Sequence, residues 1–192
     1  SEMRAISVRD VNTAELIFRN IGIRPTITLD PTFLYDFAAY KKRIYENKYI
    51  LIYSFSEWNQ YSKEFVEYAK EKGLALVVVG NKLEWVDFSL PYATFDEWVS
   101  AFVYAELVIT DSFHGTVFSL KNQKQIVLCG RSDKESKIRS LLEQLNITVS
   151  VYNGERVDDY LQSNHIGYTK AQRRIDCEQR KSIDYLSKAL DS

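Results

Sequence analysis

Four stretches of this chain, residues 49–55, 74–79, 107–110 and 125–129, are apolar almost without interruption. A strand with one wet face alternates apolar and polar residues, whereas a strand covered on both faces reads as a continuous apolar run. Segments with helical periodicity lie between these runs. The pattern predicts a doubly wound α/β domain: a mostly parallel sheet with helices on both faces.

The intervening segments carry the expected punctuation. Residues 5–8 read as a short strand, and Asn12 with Glu15 three positions on resembles a capping box. It opens a helix with Leu16, Ile17 and Ile21 on its apolar face, ending at Gly22. A strand over 26–29 closes at Asp30-Pro31, because proline cannot donate to a ladder. Residues 58–72 form a helix stopped by Gly73, 81–95 an irregular connection, and Asp96 caps the helix of Trp98, Val99, Phe102 and Val103. Helices are further expected over 115–120 and 136–145, the latter with Ile138, Leu141, Leu142 and Leu145 on one face. The segment from 157 is a charged helical tail that closes over the sheet or reaches toward a partner domain. Residues 1–192 are read as a single domain, and the strand so near the start suggests a piece of a larger protein.

With 3 Trp, 13 Tyr and 10 Phe, and 45% hydrophobic residues, the chain can fill a sizeable core. Its 25 Lys and Arg against 26 Asp and Glu leave a net charge of -1, so no global field draws it to nucleic acid. Any anion site must be local. Cys129 and Cys177 lack metal-ligand spacing, so no metal site is expected and a reducing, cytoplasmic setting fits. No apolar run is long enough to span a membrane, and no secretion signal is visible.

In an open parallel sheet, ligands bind outside the carboxyl ends of the strands. The loops at that edge bring Arg9 after the first strand, Asp111-Ser112-Phe113-His114-Gly115-Thr116 after the run ending at Thr110, and Arg131, Lys134 and Lys137 after the run ending at Cys129. A helix starting near Gly115 adds backbone donors and a positive dipole end. Each residue also has a plainer reading: Arg9 as a surface charge at a helix start, Lys134 and Lys137 as a solvated helix face, His114 as a core imidazole. Asp111 can organise the loop or fix the tautomer of His114. Ser54, Ser56 and Trp58 can line the crevice, and the tyrosines can be core or sugar-stacking surface. His165, in a loop, reads as structural or simply exposed.

Ser7-Val8-Arg9-Asp10, Leu29-Asp30-Pro31-Thr32-Phe33-Leu34, the segment from Leu107 through Ser112-Phe113-His114-Gly115-Thr116 to Leu120, and Ser136-Lys137-Ile138-Arg139-Ser140-Leu141-Leu142 together resemble the polysaccharide pyruvyltransferase family. The resemblance spans about residues 5 to 146. It implies a GT-B-like enzyme with two Rossmann-like domains, of which this chain is the carboxyl-terminal, donor-binding one. The amino-terminal acceptor domain would be absent here, leaving this half inactive alone. The implied reaction moves the enolpyruvyl carbons of phosphoenolpyruvate onto two hydroxyls of a glycan or lipid-linked saccharide, in bacterial cell-surface polysaccharide synthesis. It needs no cofactor, and is set in the cytoplasm or at the inner face of the membrane.

By that resemblance His114 is the motif histidine, a general acid or phosphate contact, and Arg9 grips the donor. Ser112, Phe113, Gly115, Thr116, Arg131 and Lys134 complete the donor site, with Asp111 in support. Lys137 stands where relatives more often carry arginine, and lysine lacks the bidentate fork. Family members with Arg-Leu-His in place of Ser-Phe-His have one more cation. Two other readings stay open: a GT-B glycosyltransferase using a sugar nucleotide, and a non-catalytic anion- or glycan-binding module.

Overall fold

A computed structural model of the chain describes residues 5–37, 39–40, 42–56, 58–130 and 135–191. The elements run β1 (Ser7–Val8), α1 (Val11–Ile21), β2 (Thr26–Ile27), β3 (Tyr49–Tyr53), α2 (Ser62–Lys72), β4 (Ala75–Val79), β5 (Phe88–Leu90), α3 (Phe95–Tyr104), β6 (Leu107–Thr110), α4 (Phe113–Lys121), β7 (Gln125–Leu128), α5 (Glu135–Gln144), α6 (Val157–Ser163) and α7 (Tyr168–Asp191). The chain divides into two compact units.

The first unit gathers Ser1–Asp36, Ser136–Thr148 and Gly167–Ser192. Here β1 and β2 pair in parallel, Ser7 with Thr26 and Val8 with Ile27, joined by α1. The cap of α1 is Asp10, two residues before the expected Asn12; its carboxylate accepts from Thr13 N at 2.8 Å. At the other end Gly22 adopts the left-handed conformation, φ 71°, as anticipated. Hydroxyls tie the remote pieces together. Ser140 on α5 accepts from Val11 N at 3.3 Å, and Ser182 on α7 accepts from Leu29 N at 2.9 Å.

The second unit, Phe37–Glu135 and Val149–Ile166, is the parallel sheet foreseen from sequence, with strand order β5-β4-β3-β6-β7. Every pairing is parallel. Register and alternation sort the side chains. Ile50, Ile52, Leu76, Val78, Leu107, Ile109 and Val127 pack with Phe65 of α2 and Val157 and Tyr160 of α6. Leu51, Val77, Val79, Val108 and Ile126, all buried, face the opposite side. That side is closed by α3 and α4, whose Trp98 and Phe118 rings meet edge-on at 4.5 Å.

β5 lies inside the stretch read as irregular. It is a half-buried, three-residue edge strand, too short for a continuous apolar run. The helix expected from Trp58 begins at Ser62, because Trp58 itself sits at φ 51°, left-handed, ahead of a 3-10 turn over Asn59–Tyr61. Thr94 and Glu97, not Asp96, form the capping box of α3. The tyrosines divide: Tyr49, Tyr152 and Tyr160 are core, while Tyr35 and Tyr92 are exposed. Among the described residues no helix is long and apolar enough to cross a membrane.

Candidate functional site

Reading the sheet outward from its middle, β3 leads to β4 and β5 on one side while β6 leads to β7 on the other. The strand order therefore reverses between β3 and β6, and in parallel sheets ligands enter at the carboxyl end of that reversal. Tyr53 is in register with Thr110, and Thr110 with Leu128, so Ser54, Asp111 and Cys129 form the next rank at the edge. The motif histidine lies there, on the first turn of α4.

A short chain of hydrogen bonds builds this turn. The Thr110 hydroxyl donates to the Tyr53 carbonyl at 2.6 Å and accepts from Ser112 N at 3.0 Å, linking β6 to β3. Ser112, in extended geometry, caps α4 by accepting from Gly115 N at 3.4 Å. Thr116 donates to the Ser112 carbonyl at 3.0 Å. Gly115 is required here by space: a Cβ would collide with Thr110 Oγ1 and come within 3.1 Å of the Tyr53 ring. Burial pushes the Tyr53 phenol above its ordinary pKa, so this ring is neutral under the turn.

Of the residues picked out between Asp111 and Thr116, only His114 is exposed. Its ring stands edge-on to Phe113 at 5.5 Å, and its imidazole makes no hydrogen bond to a described residue. Ser112, Phe113 and Thr116 are buried, with both hydroxyls engaged inside the turn. They frame the first turn of α4, which carries His114.

Asp111 is not the tautomer-setting partner of His114. It is fully buried, and its Oδ1 accepts from Phe55 N at 3.0 Å, tying the loop after β3 to the loop after β6. Its Oδ2 is buried without a hydrogen-bond partner among the described residues. An orphaned buried oxygen is a cost that folds retain at few positions. Asp111→Ala leaves the Phe55 amide without its acceptor and is expected to cost about 1–3 kcal/mol in urea unfolding. Asp111→Asn, which keeps an acceptor oxygen, is expected to cost less.

Arg9 and Lys137 belong to the other unit. The expectation that Arg9 shares a sheet edge with His114 is corrected by the topology, since β1 pairs with β2 in a separate two-stranded sheet. Arg9 Nη1 binds Asp30 Oδ2 at 2.6 Å, with side-chain exposures of 38% and 4%. Burial works against the charged Asp30 carboxyl, but hydrogen bonds from Thr32 and the Arg9 ion pair outweigh it and hold its pKa below the ordinary 3.8. A depressed carboxyl pKa stabilises the fold above the unfolded-state value, and that stabilisation is lost as pH falls through the folded-state value. Asp30→Asn is therefore expected to lower the melting temperature at pH 7, with the gap to the parent chain narrowing below about pH 4. Lys137 is exposed on α5. Arg131 and Lys134 lie outside the described residues.

Cys129, next in rank to Asp111, is buried, and burial with the nearby carboxylate pushes its thiol well above the ordinary range. It is a core residue. No group of three or more His, Cys, Asp or Glu among the described residues can hold a metal ion.

The site thus defined is a strand-to-helix turn at the switch point of a Rossmann-like sheet, with one exposed histidine over a buried polar frame. The fold is shared with solved structures of the GT-B class. One is the glycosyltransferase of kitacinnamycin, 10% identical, TM-score 0.53, with 85% of this chain and 48% of that one aligned. Another is UDP-GlcNAc 2-epimerase from Neisseria meningitidis bound to UDP-GlcNAc, 10% identical, TM-score 0.52, with 92% and 51% aligned. The chain spans about half the length of these two proteins. No curated protein matches it. The family model for polysaccharide pyruvyl transferase matches residues 3–133, and the chain belongs to that family.

Sequence reasoning passed over Phe55. It is 58% exposed at the switch point, although its position directly after a buried strand marks it as an edge residue. The apolar run 49–55 carried it into the third strand, whereas β3 ends at Tyr53.

Proposed function

We propose that this protein is a transferase moving the pyruvyl carbons of phosphoenolpyruvate onto two hydroxyls of a sugar, as part of polysaccharide synthesis. The observation that carries the reading is the exposed His114, on the first turn of α4 at the switch point, in a chain of the pyruvyl transferase family.

In the proposed reaction one sugar hydroxyl adds to C2 of phosphoenolpyruvate while a proton is delivered to C3, turning the methylene into a methyl group. The second hydroxyl then bonds to C2, the C2–O bond to phosphate breaks, and inorganic phosphate leaves with the remaining proton. Two C–O bonds form and one breaks, with no change that calls for a redox cofactor. His114 serves as the acid that protonates C3 or the departing phosphate. The positive end of α4 and its first-turn amides favour a phosphate or carboxylate beside that imidazole. Arg9, by family likeness, serves the donor as a cation with a bidentate fork.

A second domain ahead of these residues completes the enzyme in this proposal, consistent with similar structures about twice as long. This chain alone is then inactive. The acceptor is a glycan or lipid-linked saccharide, met in the cytoplasm or at the inner membrane face. The test is product analysis with the complete protein. Phosphoenolpyruvate and a glycan acceptor are expected to give one phosphate per new ketal methyl signal in the NMR spectrum. Consumption of a sugar nucleotide with no such signal would replace this reading with glycosyl transfer.

A further inference from the structure

Phe55 is held at the switch point by its backbone. Its N–H is fixed by buried Asp111 at 3.0 Å. On either side Ser54 closes the loop: its hydroxyl donates to the Ser56 carbonyl at 2.8 Å and accepts from Ser56 N at 3.0 Å and from Trp58 Nε1 at 2.5 Å. Trp58, left-handed at φ 51°, pays a conformational cost that such a network can sustain. A loop over-determined in this way cannot turn its phenyl ring into the core, and Phe55 remains 58% exposed.

The ring also has a defined neighbourhood. It meets the Tyr53 ring edge-on at 5.7 Å, and Tyr53 in turn lies under Gly115, where an added Cβ would be 3.1 Å from its ring. Phe55, on the loop after β3, and Gly115, next to His114 on the first turn of α4, therefore both lie against the half-buried Tyr53. An exposed aromatic ring on the loop that Asp111 ties to the His114 turn matches what a pyranose presents: an apolar C–H face with hydroxyls at its rim. Phosphoenolpyruvate is small, anionic and ringless, and gains nothing from such a surface.

We infer that Phe55 is a specificity-determining residue that stacks on the apolar face of the acceptor sugar and turns its hydroxyls toward His114. The inference rests on the pyruvyl-transfer reading, but sugar stacking can be measured without turnover. The complete protein, with Phe55, Phe55→Leu or Phe55→Tyr, is titrated with the glycan acceptor by NMR, and steady-state constants are taken for both substrates. Phe55→Leu, which keeps bulk but loses the ring, is expected to weaken glycan binding and raise acceptor KM about tenfold, with phosphoenolpyruvate KM unchanged. Phe55→Tyr is expected to restore both. Glycan binding indifferent to Phe55→Leu overturns the inference, as does an equal rise in phosphoenolpyruvate KM. Ring-dependent glycan binding in a protein that never consumes phosphoenolpyruvate would uphold the stacking role and refute the reaction.

Discussion

Gly115→Ala is expected to destabilise the five-stranded unit by roughly 2–4 kcal/mol and to disable its ligand edge in the same stroke. The helical backbone at Gly115 tolerates alanine, and helix propensity favours it. Space decides the outcome. The new methyl group would meet Thr110 Oγ1 and approach the Tyr53 ring. Thr110 cannot rotate away freely, because its hydroxyl holds both the Tyr53 carbonyl and Ser112 N. Either those bonds break or the first turn of α4 lifts, and Trp98 packed against Phe118 resists the lift. Thermal or urea unfolding measures the loss, which corresponds to a fall in melting temperature of about 5–15 °C. A melting temperature equal to the parent's would show that the turn is looser than its geometry.

His114→Ala is expected to behave in the opposite way, with the parent's stability but, in the complete protein, almost none of its turnover. The side chain is exposed and its imidazole makes no hydrogen bond within the described residues, so its removal falls within about 0.5 kcal/mol of neutral. Loss of a positioned acid costs roughly 10²–10⁴-fold in rate. His114→Gln separates two roles. Glutamine can hydrogen-bond a phosphate but cannot carry the proton, so a Gln variant as slow as the Ala variant identifies proton transfer as the part that matters.

The five-stranded sheet was legible because burial on both faces leaves a direct mark, and β6 matches its sequence reading residue for residue. β5 was not, since an edge strand of three half-buried residues needs no apolar run. That a strand passes into a helix around His114 was legible, because the apolar run ends at Thr110 and polar Asp111-Ser112 follow. The turn's internal logic was not: that Thr110 bridges two strands and that Asp111 answers to Phe55 depends on which strands are neighbours. Arg9 was misassigned to the same sheet for a related reason. A strand of two residues carries no information about its partner, and only the topology shows β1 paired with β2 alone. Phe55 shows the converse, a residue read into the third strand that backbone anchoring holds beyond β3 and at the surface.

The proposed role of His114 is to move a proton in pyruvyl transfer at the carboxyl edge between β3 and β6. It is tested most directly by phosphate release from phosphoenolpyruvate in the complete protein, with and without a glycan acceptor, for the parent and His114→Ala. The expected result is acceptor-dependent release that slows at least about a hundredfold in the variant, with unchanged melting temperature. Acceptor-dependent release at the parental rate in His114→Ala would contradict it.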